Sequence, residues 1–186
     1  MADFHARIRN RPRDLVKLCT KAAEEAYRTK STTISTEHIE AILPAYSKSI
    51  MEDTIGEYIS ELPAISKLLY GMRPTKKERT TEDGYRYTTT ELHSKLHQIM
   101  INNTFNFASA SPVDPKSLKD FLYKINFITA RKTLPDGAII RSSYEENQKL
   151  SLAYMNEGYE WEVHLAYRWE LQADSLDDIF NKISIN

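Results

Sequence analysis

The chain has 186 residues, 41% of them hydrophobic and 27% charged, with a formal net charge of −1 at pH 7. That length suits one domain or two small ones with a real core. The near-neutral balance excludes a strongly basic nucleic-acid binder, so any such contact must come from a local patch. A single cysteine, Cys19, excludes an intrachain disulfide, and no apolar run approaches the ~20 residues that a membrane span needs.

The first five residues, Met1-Ala2-Asp3-Phe4-His5, lack the apolar stretch of a secretory leader, so a cytoplasmic protein without membrane contact is expected. The first helix opens at Pro12, whose missing N–H suits a first helical position. Leu15, Leu18, Ala22 and Ala26 recur at helical spacing, and Cys19 and Ala23 widen the stripe, which predicts a buried Cys19. Ser31-Thr32-Thr33 ends this segment. Ser35 or Thr36 then caps a second helix carrying Ile39, Ile42 and Leu43. Pro44 is expected to kink or restart it, with Tyr46, Ile50, Met51, Ile55 and Tyr58 continuing the pattern. Pro63 opens a shorter helix that buries Ile65, Leu68 and Leu69.

A polar stretch from Arg73 to Tyr87, with Pro74, Gly84 and the run Lys76-Lys77-Glu78-Arg79, reads as a linker. Beyond it Thr88 and Glu91 have capping-box spacing ahead of Leu92, Leu96 and Ile99. Asp114-Pro115 predicts a cap and first-turn proline for a helix carrying Leu118, Phe121, Leu122 and Ile125. Phe127 to Lys132 reads as extended, Leu134-Pro135-Asp136-Gly137 as a turn, and Ala138 to Arg141 as a returning strand. Trp161 to Leu165 alternates as a further strand, and Asp174 to Asn181 reads as a short terminal helix. The expected fold is mainly α with a small β part. Residues 1–72 form a helical lid-like bundle, 73–87 a linker, 88–175 a winged-helix-like domain and 176–186 a tail.

No catalytic set emerges. His93 and His97 have a metal-binding spacing but lack a third ligand, and His164 reads as a packing or hydrogen-bonding residue. The five glycines are isolated and none precedes a lysine, so there is no P-loop. Lys116, Lys119 and Lys124 on the helix after Asp114, with Arg131, Lys132 and Arg141 on the hairpin, form the candidate nucleic-acid surface. In a winged helix the second helix enters the major groove while the wing touches the backbone. The acidic C-terminal part, from Glu157 to Asp178, would steer DNA to one side.

The run Arg11-Pro12-Arg13-Asp14-Leu15, the alanine-rich helix and Ile34-Ser35-Thr36-Glu37-His38-Ile39 together resemble the helical lid of AAA+ and STAND-like P-loop ATPases. The likeness is nearest to bacterial ATPases found among DNA-repair and phage-defence genes, and it covers about residues 7–60. A second resemblance, over about residues 88–172, is to the winged-helix region that follows such lids. It is carried by the order helix, helix, hairpin, strand and by Trp161 to Leu165 followed by Tyr167 and Leu171. The resemblance implies that Arg13, or secondarily Arg11, is the sensor arginine that contacts the terminal phosphate of ATP. The guanidinium fork suits phosphate oxygens, although Arg11 and Arg13 could equally be solvated, or pair with Asp14 and nearby acids.

Because the phosphate cradle is missing, the chain reads as the C-terminal piece of such an ATPase, fragmentary or separately encoded. It would be a non-enzyme with no cofactor of its own, and ATP would reach it only through a P-loop partner or parent domain. The expected function is a regulatory or interaction module for that ATPase or another protein, in DNA transactions or phage defence. The alternative is a free-standing winged-helix DNA-binding protein with its N-terminal helices serving dimerisation. The oligomeric state is not legible.

Overall fold

A computed structural model describes residues 11–75, 78, 84–151 and 158–172. Six α-helices, one short 3-10 helix (Gln148–Ser151) and four strands are present among them. The helices are α1 (Pro12–Arg28), α2 (Thr36–Tyr58), α3 (Ile65–Gly71), α4 (Thr89–Ile101), α5 (Pro115–Lys124) and α6 (Leu165–Arg168). The strands are β1 (Arg86–Tyr87), β2 (Ile128–Thr133), β3 (Ile139–Ser142) and β4 (Glu160–Val163). They form one antiparallel sheet in the order β1-β4-β2-β3. The fold is mainly α with a small β part. The terminal helix expected at Asp174 to Asn181 lies outside the described residues.

Local chemistry sets most helix starts. Thr88 accepts from the Glu91 N–H at 3.2 Å, and the Glu91 carboxylate accepts from the Thr88 N–H at 2.8 Å. This reciprocal cap opens α4. Asp114 accepts from the Ser117 N–H at 2.6 Å, and Pro115 follows in the first turn of α5. At α2 the reciprocal partner is a histidine: the Ser35 N–H donates to His38 Nδ1 at 2.9 Å, and His38 Nε2 lies 2.9 Å from Thr29 Oγ1 at the end of α1. One imidazole thus ties the end of the first helix to the start of the second.

Two expectations about the helices need correction. Pro44 does not restart the helix: it lies inside α2, which runs unbroken for 23 residues. The missing N–H removes one intrahelical bond, and the burial of Leu43, Tyr46, Ser47, Ile50 and Met51 around it holds the helix. In α1 only Asp14, Leu18, Ala22 and Ala26 are buried, a single i, i+4 ridge packed on α2. Leu15 is 42% exposed and Cys19 is exposed, because the helix turns that side of its apolar stripe away from α2.

The buried side chains make one continuous cluster from Leu18 in α1 to Leu171 beyond α6. The joint between the helical half and the sheet half is polar at its centre. Thr54 Oγ1 and Tyr167 OH meet at 3.0 Å inside the core, and the Glu170 N–H donates to Ser47 Oγ at 3.0 Å. Gly71 closes α3 against α4: a Cβ there would lie 3.0–3.1 Å from three carbons of Ile99. Asn126, at φ 56°, turns the chain from α5 into β2, donates to the Glu145 carboxylate at 2.6 Å and accepts from the Tyr144 N–H. Lys30 takes the left-handed conformation at φ 57° just after α1, where glycine is the usual occupant.

Two outcomes follow from this packing. Replacing Tyr167 with alanine removes a fully buried ring and is expected to cost about 3 kcal/mol in urea unfolding. In the parent chain, tryptophan fluorescence and helical circular dichroism should then trace one coincident transition, since a shared core unfolds as a unit. Lys30→Gly relieves the left-handed strain and should raise stability by about 1 kcal/mol in the same assay.

Candidate functional site

Arg11 and Arg13 are brought together by the antiparallel packing of α1 on α2. Arg11 precedes the first helical residue in extended backbone, and Pro12 fixes the turn that follows. Arg11 Nη1 donates to Glu57 Oε2 at 2.8 Å, and its Nη2 donates to Tyr58 OH at 3.0 Å. Arg13, two residues on, donates to the same Glu57 oxygen. Glu57 sits in the last turn of α2, where the negative end of the helix dipole adds to its attraction for cations. One turn further, Lys17 donates to Asp53 at 2.6 Å and to Ser49 at 2.7 Å. Of the alternatives open at the sequence level, the acid pairing is the one observed, across helices to Glu57 as well as to Asp14 at 3.8 Å.

The two arginines differ in freedom. Arg11 has 18% of its side chain exposed and Arg13 55%, so Arg13 can swing outward while Arg11 stays anchored. Partial burial pushes the Glu57 carboxyl upward, but the hydrogen bonds from Arg13 and Arg11 and their charges outweigh that, holding its pKa below the ordinary 4.5. The site therefore presents two guanidiniums converging on one anionic oxygen, a geometry that a phosphate oxygen can also satisfy.

The candidate nucleic-acid residues are scattered, and the sheet explains why. Alternation along β4 sends Trp161 and Val163 toward the helices and Glu160 and Glu162 to the opposite face. Arg131 on β2 donates to Glu160 at 2.9 Å, and Arg86 on β1 lies 2.8 Å from the same carboxylate. Arg141 on β3 donates to Glu162, which Arg168 also approaches at 3.3 Å. The two hairpin arginines are thus neutralised by acids of their own sheet. Lys132 lies over the Tyr159 ring at 5.2 Å, Lys124 pairs with Glu61 at 2.7 Å, and Lys116 is exposed.

Lys119 and Arg131 need correction as nucleic-acid contacts. Lys119 is 1% exposed, with Nζ 4.7 Å from the Trp161 ring centroid and 3.1 Å from Asp120. Arg131 is 8% exposed. A phosphate cannot reach either without unpacking the sheet. The sequence did hold a signal for this: Glu160 and Glu162 flank Trp161 at the period-2 spacing that puts both acids on one face.

His93 faces α5, where burial and the nearby charge of Lys119 lower its pKa below 6.5. Among the described residues no cluster of three metal-ligating side chains forms. The open cleft beside α4, about 470 Å³, is lined by Lys95 and Glu78, which already bond each other at 2.7 Å, and by Arg86, Thr90 and Ser94. No described helix is long and apolar enough to cross a membrane. No protein-family model matches this chain, and neither does any curated protein or solved structure.

The pairing at Glu57 has a pH signature. A carboxyl with a lowered folded pKa contributes stability above its unfolded value and loses it as pH falls through the folded one. The melting temperature of the parent chain should therefore exceed that of Glu57→Gln at neutral pH, and the gap should close as the pH falls through the lowered folded pKa of Glu57. Substitution of Lys119 gives a complementary check. Lys119→Ala should cost about 2 kcal/mol or more by stranding Asp120 and unpacking Trp161. Lys116→Ala should stay within about 0.5 kcal/mol of the parent.

Proposed function

We propose that the chain is a non-catalytic regulatory and interaction module of a P-loop ATPase system, working in DNA transactions or phage defence. The observation that carries the reading is the convergence of Arg11 and Arg13 on one carboxylate oxygen at the start of α1. A nucleotide held by a partner or parent domain would offer its terminal phosphate in place of Glu57. Arg13 would make that exchange, being the more exposed arginine, and Arg11 would keep the helix end in register. The succession α4, α5, β2–β3 hairpin and β4 supports a winged-helix-like second half. In this reading that half serves mainly to dock a protein, since its hairpin arginines, Arg131 and Arg141, are already matched by Glu160 and Glu162.

The test joins the chain to the P-loop ATPase encoded with it, as a parent domain or a neighbouring gene, and follows steady-state ATP turnover. Arg13→Ala should lower turnover at least about tenfold while nucleotide binding changes little, as loss of a charge-stabilising arginine does. Unchanged turnover would sink the reading, as would ATP hydrolysis by the isolated chain. A parallel titration with duplex DNA at rising salt separates the alternative. Tight binding that weakens steeply with salt and is lost in Lys116→Ala/Lys132→Ala would favour a free-standing DNA-binding protein.

A further inference from the structure

The outer side of α1 carries a second apolar face. At 3.6 residues per turn, Pro12, Leu15, Val16, Cys19, Ala23 and Tyr27 share an arc of roughly a third of the helix circumference. The buried ridge of Asp14, Leu18, Ala22 and Ala26 lies beside it. Every charged residue of the helix falls outside this arc. Val16 is 64% exposed and Tyr27 87%, so the arc is open on the described surface. An apolar strip of this kind on a helix is the usual mark of a face that meets another helix.

We infer that this face pairs with the same face of a second copy, the two α1 helices antiparallel about a two-fold axis near Cys19. The charges beside the strip select this occupant. Arg13 and Glu24 lie on the same flank, six residues before and five after Cys19. A two-fold axis perpendicular to an antiparallel pair brings like flanks together. Arg13 of each copy then meets Glu24 of the other to within about one residue's rise, ~1.5 Å. In a parallel pair the two-fold axis runs along the helices and puts the Arg13 and Glu24 flanks of the two copies on opposite sides, so these charges would not meet. The same axis puts Leu15 opposite Ala23, large against small, and Cys19 opposite its own copy. The helix is only ~25 Å long, so the contact is smaller than a standard interface of ~800 Å² per partner, and a transient dimer is expected. This pairing stands on the geometry of α1 and does not depend on Arg13 ever meeting a phosphate.

Sedimentation equilibrium of the full chain across a wide concentration series tests it directly. The weight-average mass should rise toward that of a dimer, and mild oxidation with diamide should trap a covalent dimer through Cys19, the only cysteine. Glu24→Arg should weaken association at least about tenfold by facing Arg13, a factor of ten being about 1.4 kcal/mol. Arg13→Glu/Glu24→Arg should restore it, and Val16→Glu should abolish it, with circular dichroism melts checking that each variant folds. A mass that stays monomeric at every concentration would overturn the pairing and leave the face to another segment or another protein. A double variant no better than Glu24→Arg alone would overturn the antiparallel geometry.

Discussion

The two-faced strand β4 is the constraint on which the second half of the molecule rests. Its Trp161 is fully buried, meets Tyr123 edge-on at 5.3 Å, receives the Lys119 ammonium over its ring, and donates its indole N–H to Thr89 at 3.0 Å. One side chain thus touches α4, α5 and the interior of the sheet. The neighbouring Glu160 and Glu162 point the other way and gather Arg86, Arg131, Arg141 and Arg168 across all four strands and into α6. Because the pleat alternates, packing on one face and charge pairing on the other are set by the same four residues. A one-residue slip of β4 would turn both acids toward the helices, away from their arginines, and carry the indole to the opposite face.

The first half is arranged around a different principle. The α1–α2 pair has a thin apolar seam, mostly leucine and alanine, and is fastened by a ladder of cations on α1 against acids on α2. Such exposed pairs each contribute little, so α1 is held more loosely than α2, which is buried along much of its length and anchors α6 through Thr54 and Ser47. A helix fastened mainly by charge, with its more exposed arginine at the free end, suits an element that must exchange partners. This agrees with the proposed role and with the proposed self-pairing, both of which act through α1.

Where a signal was local, the sequence carried it. The Thr88–Glu91 spacing, the Asp114-Pro115 pair and the Pro135-Asp136-Gly137 turn each encode a structure within a few residues, and each appears at its expected place. Features created by distant contacts were illegible. The two-residue β1 exists only because β4 pairs with it, so a stretch read as linker supplies a strand. Pro44 survives inside α2 because of what packs around it. The same limit governs the candidate site. That Arg11 and Arg13 would lie near acids was readable, but the identity of Glu57, 44 residues beyond Arg13, was not. Lys119 looked like a surface cation because lysine usually is one, and only the placement of Trp161 turns it inward.

Gly71 shows how tightly the two halves constrain each other's sequences. With three carbons of Ile99 at 3.0–3.1 Å from where a Cβ would stand, the position has no room for even a methyl group unless its neighbour shrinks or moves. The cost of Gly71→Ala on α3 is therefore set by how far the Ile99 side chain on α4 can shift, a few tenths of an ångström being enough, and a smaller residue at 99 would lower it.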